Sequence, residues 1–148
     1  MPFELTASSE YSVVVQSNAG ITQPDTVFTA PVSPGVAALS DRRIIAQHLD
    51  FTLITPDSPA KPGEVITDPP VSSSSVAPSG PLASAVTPPV VTVHGQTAAL
   101  SFAGLTPGGV GLYQINFAVP QTIRDGDLPV SISQCGVAAN ATALPVRR

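Results

Sequence analysis

The sequence predicts an all-β protein built from short antiparallel strands, and three observations support this fold class. Apolar side chains recur at every second position, most clearly at 113–119. The 17 Pro and 11 Gly residues separate runs rich in Val, Thr, Ile and Leu, as turns separate strands. Helical spacing is nearly absent, since only 36–46 carries it, and that stretch is long enough for one turn at most.

The second half of the chain contains the clearest strands. In the strand at 113–119, one face is predicted to be apolar, with Tyr113, Ile115, Phe117 and Val119. Gln114, Asn116 and Ala118 fall on the other face. Pro120 ends this strand, because proline has no backbone N–H to donate. Asp125-Gly126-Asp127 then forms a turn before a strand in which Leu128, Val130 and Ile132 are predicted to face inward. In the final strand, Leu144 and Val146 are predicted to face inward.

Earlier strands are shorter and are also bounded by turn residues. Two runs, 44–47 and 51–54, flank His48-Leu49-Asp50, and a third at 64–67 is entered through Pro62-Gly63. Another pair of strands is predicted to turn at His94-Gly95-Gln96. The Pro/Ser-rich stretch 68–89 is predicted to be a long loop, because it has too little apolar surface to order itself.

The start of the chain repeats the end of it in a weaker form. Tyr11, Val13 and Val15 precede a turn at Asn18-Ala19-Gly20, and 26–32 is the predicted returning strand. Both copies close with Pro-Val. We therefore expect three regions: 1–32 as the terminal hairpin of an incomplete module, 33–59 as a connecting segment with short strands, and 60–148 as a β-sandwich module that contains the loop at 68–89. On this hypothesis the chain is the end of a longer protein, with earlier strands upstream of Met1.

The period of two and the regular turn spacing favour an antiparallel β-sandwich of immunoglobulin-like type. The runs GLYQINFAVP and DGDLPVSISQCGVAANATALPVR, with Pro62-Gly63 opening a strand through Thr67, resemble C-terminal modules of uncharacterised exported proteins from acidobacteria such as Solibacter. Those modules are similar to IPT/TIG immunoglobulin-like domains. The resemblance covers 60–148 and implies an extracellular or cell-surface location. Its structural signature is Tyr113, Gln114, Ile115, Asn116, Phe117 and Pro120. The chain departs from the pattern after Thr67, where Asp68-Pro69-Pro70 replaces a strand end and Gly-rich turn.

Composition argues against several classes of partner. Charged residues make up 11% of the chain, against roughly 25% in a typical soluble protein. The net charge is −4 and only six Lys and Arg are present, so we expect no nucleic-acid binding. No apolar run approaches the ~18 residues of a membrane helix, and the N-terminus lacks the features of a signal peptide, so membrane insertion is not expected. The single Cys135 excludes an intrachain disulfide framework.

No pattern in the sequence predicts a catalytic, metal or cofactor site. His48 and His94 are isolated turn residues that we expect to be solvated, and Asp125-Gly126-Asp127 lacks the further oxygen ligands of a calcium loop. No Gly-x-Ser-x-Gly elbow is present, and the sequence does not place a Ser/His/Asp set on neighbouring loops. Gln114 and Asn116 are expected to hydrogen-bond neighbouring backbone rather than a ligand.

The sequence therefore leaves three functional hypotheses. The first is a non-catalytic structural or interaction module of an exported or cell-surface bacterial protein, with an unknown protein or glycan partner and edge strands open to self-association. The second is a carbohydrate- or protein-binding module that uses loops at one end of the sandwich. The third and least favoured is a small hydrolase. We expect no enzymatic activity and no cofactor.

Overall fold

The computed structural model describes residues 6–67, 80–107 and 112–148. These ranges contain β-strands and no helix, which confirms the predicted all-β class. The described residues include no helix long and apolar enough to cross a membrane. The chain divides into two compact units, Met1–Ser33, called the hairpin unit below, and Pro34–Arg148, called the second unit.

The hairpin unit is a ladder of four short antiparallel strands. In chain order these are β1 (Glu10–Val13), β2 (Gln16–Ser17), β3 (Gly20–Ile21) and β4 (Asp25–Phe28). β1 pairs with β4, and β2 pairs with β3 across the predicted Asn18-Ala19 turn. The hydroxyl oxygen of Ser17 accepts a hydrogen bond from the Ala19 N–H at 3.2 Å, as polar turn residues commonly do. The predicted turn is present, but the returning strand spans Asp25–Phe28 and ends before the predicted 32.

The second unit contains two larger antiparallel sheets. Its strands are β5 (Val65–Thr67), β6 (Val90–Val93), β7 (Gln96–Thr97), β8 (Ala99–Leu105), β9 (Tyr113–Ala118), β10 (Gly126–Gln134), β11 (Val137–Ala138) and β12 (Thr142–Val146). One sheet has the order β5-β9-β8, and the other joins β6, β7, β11 and β12 around β10. β10 pairs with β12 through its first half and with β6 through its second half.

Tight turns occur where the sequence predicts them. β6 and β7 are joined by His94-Gly95, and β10 and β11 by Cys135-Gly136. Both residues of each turn have positive φ, at 49° and 78° in the first and 50° and 81° in the second. Two-residue turns of this kind match the twist of the strands they join, and glycine adopts the second conformation without steric cost.

Both sheets of the second unit contribute side chains to one hydrophobic core. The predicted inward-facing residues of β10 and β12 are all buried, namely Leu128, Val130, Ile132, Leu144 and Val146. Ile66 of β5 and Phe117 of β9 belong to the same core cluster. Because two antiparallel sheets share one core, the architecture is consistent with a β-sandwich.

The structure differs from the sequence prediction at the start of β9. Phe117 is 2% exposed and Ile115 packs partly against the core, but Tyr113, predicted to be buried, is 55% exposed. Burial increases along the strand from Tyr113 to Phe117. The alternating pattern fixes which face points inward, but only the later part of this strand reaches the shared core.

Residues 34–59 lie within the second unit instead of forming a separate connection. Ile44, Ala46 and Ile54 belong to its core, and Gln47 bridges to Thr67 of β5. The helical turn considered at 36–46 does not form. The Leu39 N–H bonds the Arg43 carbonyl at 2.8 Å across a local bend, and the Ile44 N–H bonds the distant Ala143 carbonyl at 2.9 Å, so local and tertiary pairing override weak helical spacing.

Part of the predicted 68–89 loop is paired in the structure. Residues 68–79 lie outside the described residues, but Ser84 bridges to Gly104 on the outer edge of β8. The Leu105 N–H bonds the Ala83 carbonyl at 2.8 Å. This close approach requires a glycine, because a Cβ atom at position 104 would lie 2.3 Å from the Ala83 oxygen. Residues 80–89 contain no strand, so this part of the predicted loop keeps its irregular conformation while its backbone bonds the edge of β8.

We predict that Gly104→Ala destabilises the protein by about 1–3 kcal/mol, because the added methyl group meets backbone that must move. Gly35→Ala is the matched control, since a Cβ atom there has no neighbour within 4 Å. Urea unfolding followed by circular dichroism measures both. Equal unfolding free energies for the two variants would show that the backbone of residues 83–85 is not packed closely against Gly104 of β8.

Candidate functional site

The polar residues of the structural signature on β9, Gln114 and Asn116, make their contacts within the β5-β9-β8 sheet. Gln114 and Asn116 lie on the same face, as predicted, and both are partly buried. The Gln114 side-chain amide donates to the Asn116 Oδ1 atom at 2.8 Å, so the two side chains bond each other instead of the neighbouring backbone expected from the sequence. Asn116 lies between β5 and β8, opposite Thr67 and Phe102. Pro120 follows the strand end, as predicted.

The other side chains considered as ligands lie apart from one another. His94 is exposed and accepts a hydrogen bond from the Arg124 Nε atom at 3.2 Å. Asp125 Oδ1 accepts from the Arg148 backbone N–H at 3.1 Å. Asp127 pairs with a guanidinium nitrogen of Arg43 at 3.4 Å. No group of three or more His, Cys, Asp or Glu side chains in the described ranges is placed to hold a metal ion.

The structure brings together a set of residues that the sequence did not link, and three tight turns place them. The first turn follows Gln47, where the His48 N–H bonds the Thr52 carbonyl at 2.9 Å and the Phe51 N–H bonds the His48 carbonyl at 3.0 Å. Asp50 supports the turn, because its carboxylate accepts from the Thr52 N–H at 3.0 Å and from the Thr52 hydroxyl at 2.6 Å. His48 is therefore held at a fixed position beside a core segment.

The second and third turns are specified by proline and glycine. In the second, Thr55 and Ser58 exchange backbone hydrogen bonds at 3.0 and 3.1 Å around Pro56. In the third, Pro62 and Gly63 occupy the central positions between Lys61 and Glu64, and Gly63 has a φ of 83°. One carboxylate oxygen of Glu64 accepts from the Lys61 backbone N–H at 2.8 Å, which fixes the side chain against its own turn.

These turns place His48 between Ser58 and Glu64, and the three residues are called the His48 cluster below. His48 Nδ1 lies 2.5 Å from Glu64 Oε1, and since a carboxylate only accepts, the ring nitrogen donates. His48 Nε2 lies 3.2 Å from both the hydroxyl oxygen and the carbonyl oxygen of Ser58. A neutral ring accepts from the Ser58 hydroxyl, whereas a protonated ring donates to the Ser58 carbonyl.

The surroundings of His48 favour its protonated form. The hydrogen bond with Glu64 raises the pKa of His48 above its ordinary value of 6.5. The Ser58 carbonyl and the negative charges of Glu64 and Asp50 act in the same direction, while partial burial of the ring opposes them. The hydrogen bonds from Thr52 lower the pKa of Asp50. His48 is therefore a partly buried base with a fixed acid partner, which corrects the expectation of a solvated turn histidine.

The His48 cluster opens onto a cavity of about 670 Å³. Its lining carries charges of both signs, from Asp50, Asp57, Glu64, Lys61, Arg147 and Arg148. Lys61 and the C-terminal Arg147 and Arg148 therefore place positive charge around the same opening. A polar, charged cavity of this kind favours a small polar molecule over an apolar one.

Sequence analysis missed the His48 cluster because its members lie on three separate turns, with Ser58 lying 10 residues and Glu64 16 residues after His48. The turn residues around each one were visible, as in Pro-Asp-Ser-Pro and Lys-Pro-Gly-Glu. What brings them together is long-range backbone pairing, in which Gln47 bridges to Thr67 and Ala60 bridges to Val146. The sequence did not place a Ser/His/Asp set on neighbouring loops, whereas the structure brings Ser58 and His48 together with a glutamate, Glu64.

Fold and site together define an all-β protein with antiparallel sheets and a polar cavity bordered by a hydrogen-bonded Ser–His–Glu set. Comparisons with protein-family models, with curated proteins and with solved structures find no match to this chain.

The raised pKa of His48 predicts a pH-dependent stability. Because the folded state binds this proton more tightly than the unfolded chain, the contribution is fully present below 6.5 and is lost as pH rises through the folded pKa. We therefore expect the free energy of unfolding of the wild type to fall by more than that of Glu64→Gln as pH rises from 6.5 through the range in which the folded His48 loses its proton. His94→Gln keeps the Glu64 pair and should follow the wild type. Urea unfolding across this range measures the difference, and parallel profiles for wild type and Glu64→Gln would contradict it.

Proposed function

We propose that this chain is a structural or interaction module of an exported or cell-surface bacterial protein, with an immunoglobulin-like strand arrangement. The all-β architecture and the single core shared by two sheets support the fold part of the proposal. The resemblance of 60–148 to acidobacterial exported modules supports the location. The expectation that the chain is not an enzyme remains a prediction.

The apolar surface of the hairpin unit is the observation on which the interaction role rests. Among its described residues only Thr29 is buried, and every residue from 12 to 28 is exposed. Ile21 is 67% exposed and Phe28 78% exposed. A two-stranded hairpin is marginally stable by itself, and burying one such side chain is worth about 1.5–3 kcal/mol. Burying these side chains against another polypeptide would stabilise this unit.

The hairpin also has open backbone edges. β1 and β4 form a two-stranded sheet, so in the part of the chain that the structure describes each has one edge without a neighbouring strand. Such edges add strands from other chains through main-chain hydrogen bonds. The net charge of −4 across the chain provides little repulsion against this pairing. A second copy of this chain is the partner that can be tested directly.

The cavity beside the His48 cluster favours a second candidate, a binding module that uses loops of the second unit. Its charged and hydroxyl-bearing lining suits a polar ligand or a peptide. Carbohydrate is the less favoured ligand, because the cavity lining has no Phe, Tyr or Trp ring for a sugar to stack on, and the chain has no Trp. Glycan-array binding at micromolar concentration would support the carbohydrate form of this candidate.

We predict that the chain self-associates through the hairpin unit and that Phe28→Lys weakens the association tenfold or more. The substitution removes about 1.5–3 kcal/mol of apolar burial from the contact, and each 1.4 kcal/mol corresponds to about a tenfold change in affinity. Sedimentation velocity over a concentration series measures it. Leu82→Lys, which changes an exposed residue of the second unit, is the matched control and should behave as the wild type.

The exchange rates of the backbone amides test whether the hairpin unit needs a partner. If the hairpin needs a partner, its amides exchange quickly in dilute monomer and become protected as the concentration rises. Hairpin amides that are as protected as those of β10 at every concentration would show a hairpin stable without a partner. A wild type that remains monomeric throughout would exclude the second copy as that partner.

A further inference from the structure

The His48 cluster has an arrangement that activates a hydroxyl nucleophile. Ser58 Oγ lies 3.2 Å from His48 Nε2, and His48 Nδ1 lies 2.5 Å from Glu64 Oε1. When the ring is neutral, its Nδ1–H is held by the carboxylate and the Nε2 lone pair faces the serine hydroxyl. A serine is a weak nucleophile alone and becomes an effective one when an adjacent base, itself oriented by a third group, accepts its proton.

Each of the three side chains is held by its own turn. Glu64 uses its second oxygen to accept from the Lys61 N–H, and Ser58 is fixed by its backbone bonds to Thr55. His48 is fixed by the Thr52 carbonyl and by Glu64. Pre-set geometry of this kind removes the ordering cost that otherwise opposes a reaction between two groups.

The space in front of Ser58 can receive a small molecule. Ser58 is exposed and lines the cavity of about 670 Å³ together with His48 and Glu64. Lys61, Arg147 and Arg148 line the same cavity. Positive charge near a reacting carbonyl favours the negative oxygen that forms when a hydroxyl attacks it. The cavity therefore combines a nucleophile, a base and cationic groups.

We infer that Ser58 is an acylation site that takes the acyl group of an activated ester. The Ser58 oxygen forms a bond to the acyl carbon while the bond from that carbon to the leaving oxygen breaks. The Ser58 proton passes to His48 Nε2 and is then released to the leaving group or to water, so that no oxidant or other reactant is needed. Glu64 is a positioning residue that holds the ring and stabilises its cationic form.

The Ser58 carbonyl gives the transferred proton a second partner. Once protonated, Nε2 can donate to the carbonyl oxygen 3.2 Å away while Nδ1 continues to donate to Glu64. The cation that forms during the reaction is therefore hydrogen-bonded at both ring nitrogens. This inference goes beyond the interaction role proposed above and does not depend on it, because the His48 cluster lies entirely within the second unit.

The test is acylation of the whole chain by 4-nitrophenyl acetate. We expect release of one equivalent of 4-nitrophenolate per chain and a mass increase of one acetyl group on Ser58. Ser58→Ala should abolish both. Ser131→Ala, which removes an exposed hydroxyl on β10, should react as the wild type. Thermal unfolding by circular dichroism checks that every variant is folded.

Two further variants separate activation from simple exposure of Ser58. His48→Gln should slow acylation about 100-fold, the low end for loss of a positioned base. Glu64→Gln should slow it as well and should shift the pH midpoint of the rate downward, because Glu64 is the main cause of the raised pKa of His48. The other charged groups around the ring, Asp50, Asp57, Lys61, Arg147 and Arg148, are unchanged in this variant.

Lys61 is the competing nucleophile, since it lines the same cavity. Once the acetylated chain has been unfolded, alkaline hydroxylamine removes an acetyl ester from serine and leaves an acetyl amide on lysine, so it distinguishes the two products. Acetyl groups that resist hydroxylamine and persist in Ser58→Ala would overturn the inference. Equal rates for the wild type and His48→Gln, or acetylation spread over many serines, would overturn it too. Repeated turnover of the ester would contradict the prediction that the chain is not an enzyme.

Discussion

The inward-facing residues of β10 are the constraint on which the second unit depends. Leu128, Val130 and Ile132 alternate along the strand that pairs with β6, β11 and β12, so one strand fixes the register of a whole sheet. A slip of one residue would turn all three side chains toward solvent and bring their polar neighbours into the core. The opposing sheet supplies Ile66 and Phe117 to the same core. The loops of the second unit are connected to strands whose positions this shared core fixes.

The His48 cluster shows how loop geometry is derived from that core. The segments before and after it are tied to core strands, because Gln47 bridges to β5 and Ala60 bridges to β12. Ile54, between His48 and Ser58, is itself buried in the core. Short turns closed by proline and glycine then leave little freedom for the three side chains. A cluster formed in this way is rigid without being buried, which leaves Ser58 accessible.

Sequence reasoning identified what is encoded locally and missed what is encoded by distant pairing. The period of two identified the inward face of β10 and β12, and the turn residues located His94-Gly95 and the Ser17–Gly20 hairpin turn. The same period could not show that β9 begins outside the shared core, so Tyr113 was expected to be buried. Nor could it show that residues near Ser84 would pair with β8, because their composition is that of a loop while the contact is made by backbone. The immunoglobulin-like arrangement and the acidobacterial resemblance remain proposals.

The two proton states of His48 use different atoms of Ser58, and this has opposite consequences for stability and for reactivity. The protonated ring donates to Glu64 and to the Ser58 carbonyl, so it stabilises the turns most strongly below the pKa of His48, while Glu64 carries its negative charge. The neutral ring has no proton on Nε2 for the carbonyl but can accept one from the Ser58 hydroxyl. Since the pKa of His48 is raised above 6.5, the change from the protonated to the neutral ring takes place at a higher pH than in the unfolded chain. As pH rises and His48 loses its proton, its hydrogen bond to the Ser58 carbonyl is lost and its Nε2 atom becomes able to accept the proton of the Ser58 hydroxyl. The site that reacts as inferred therefore loses part of its stabilisation in the same pH range.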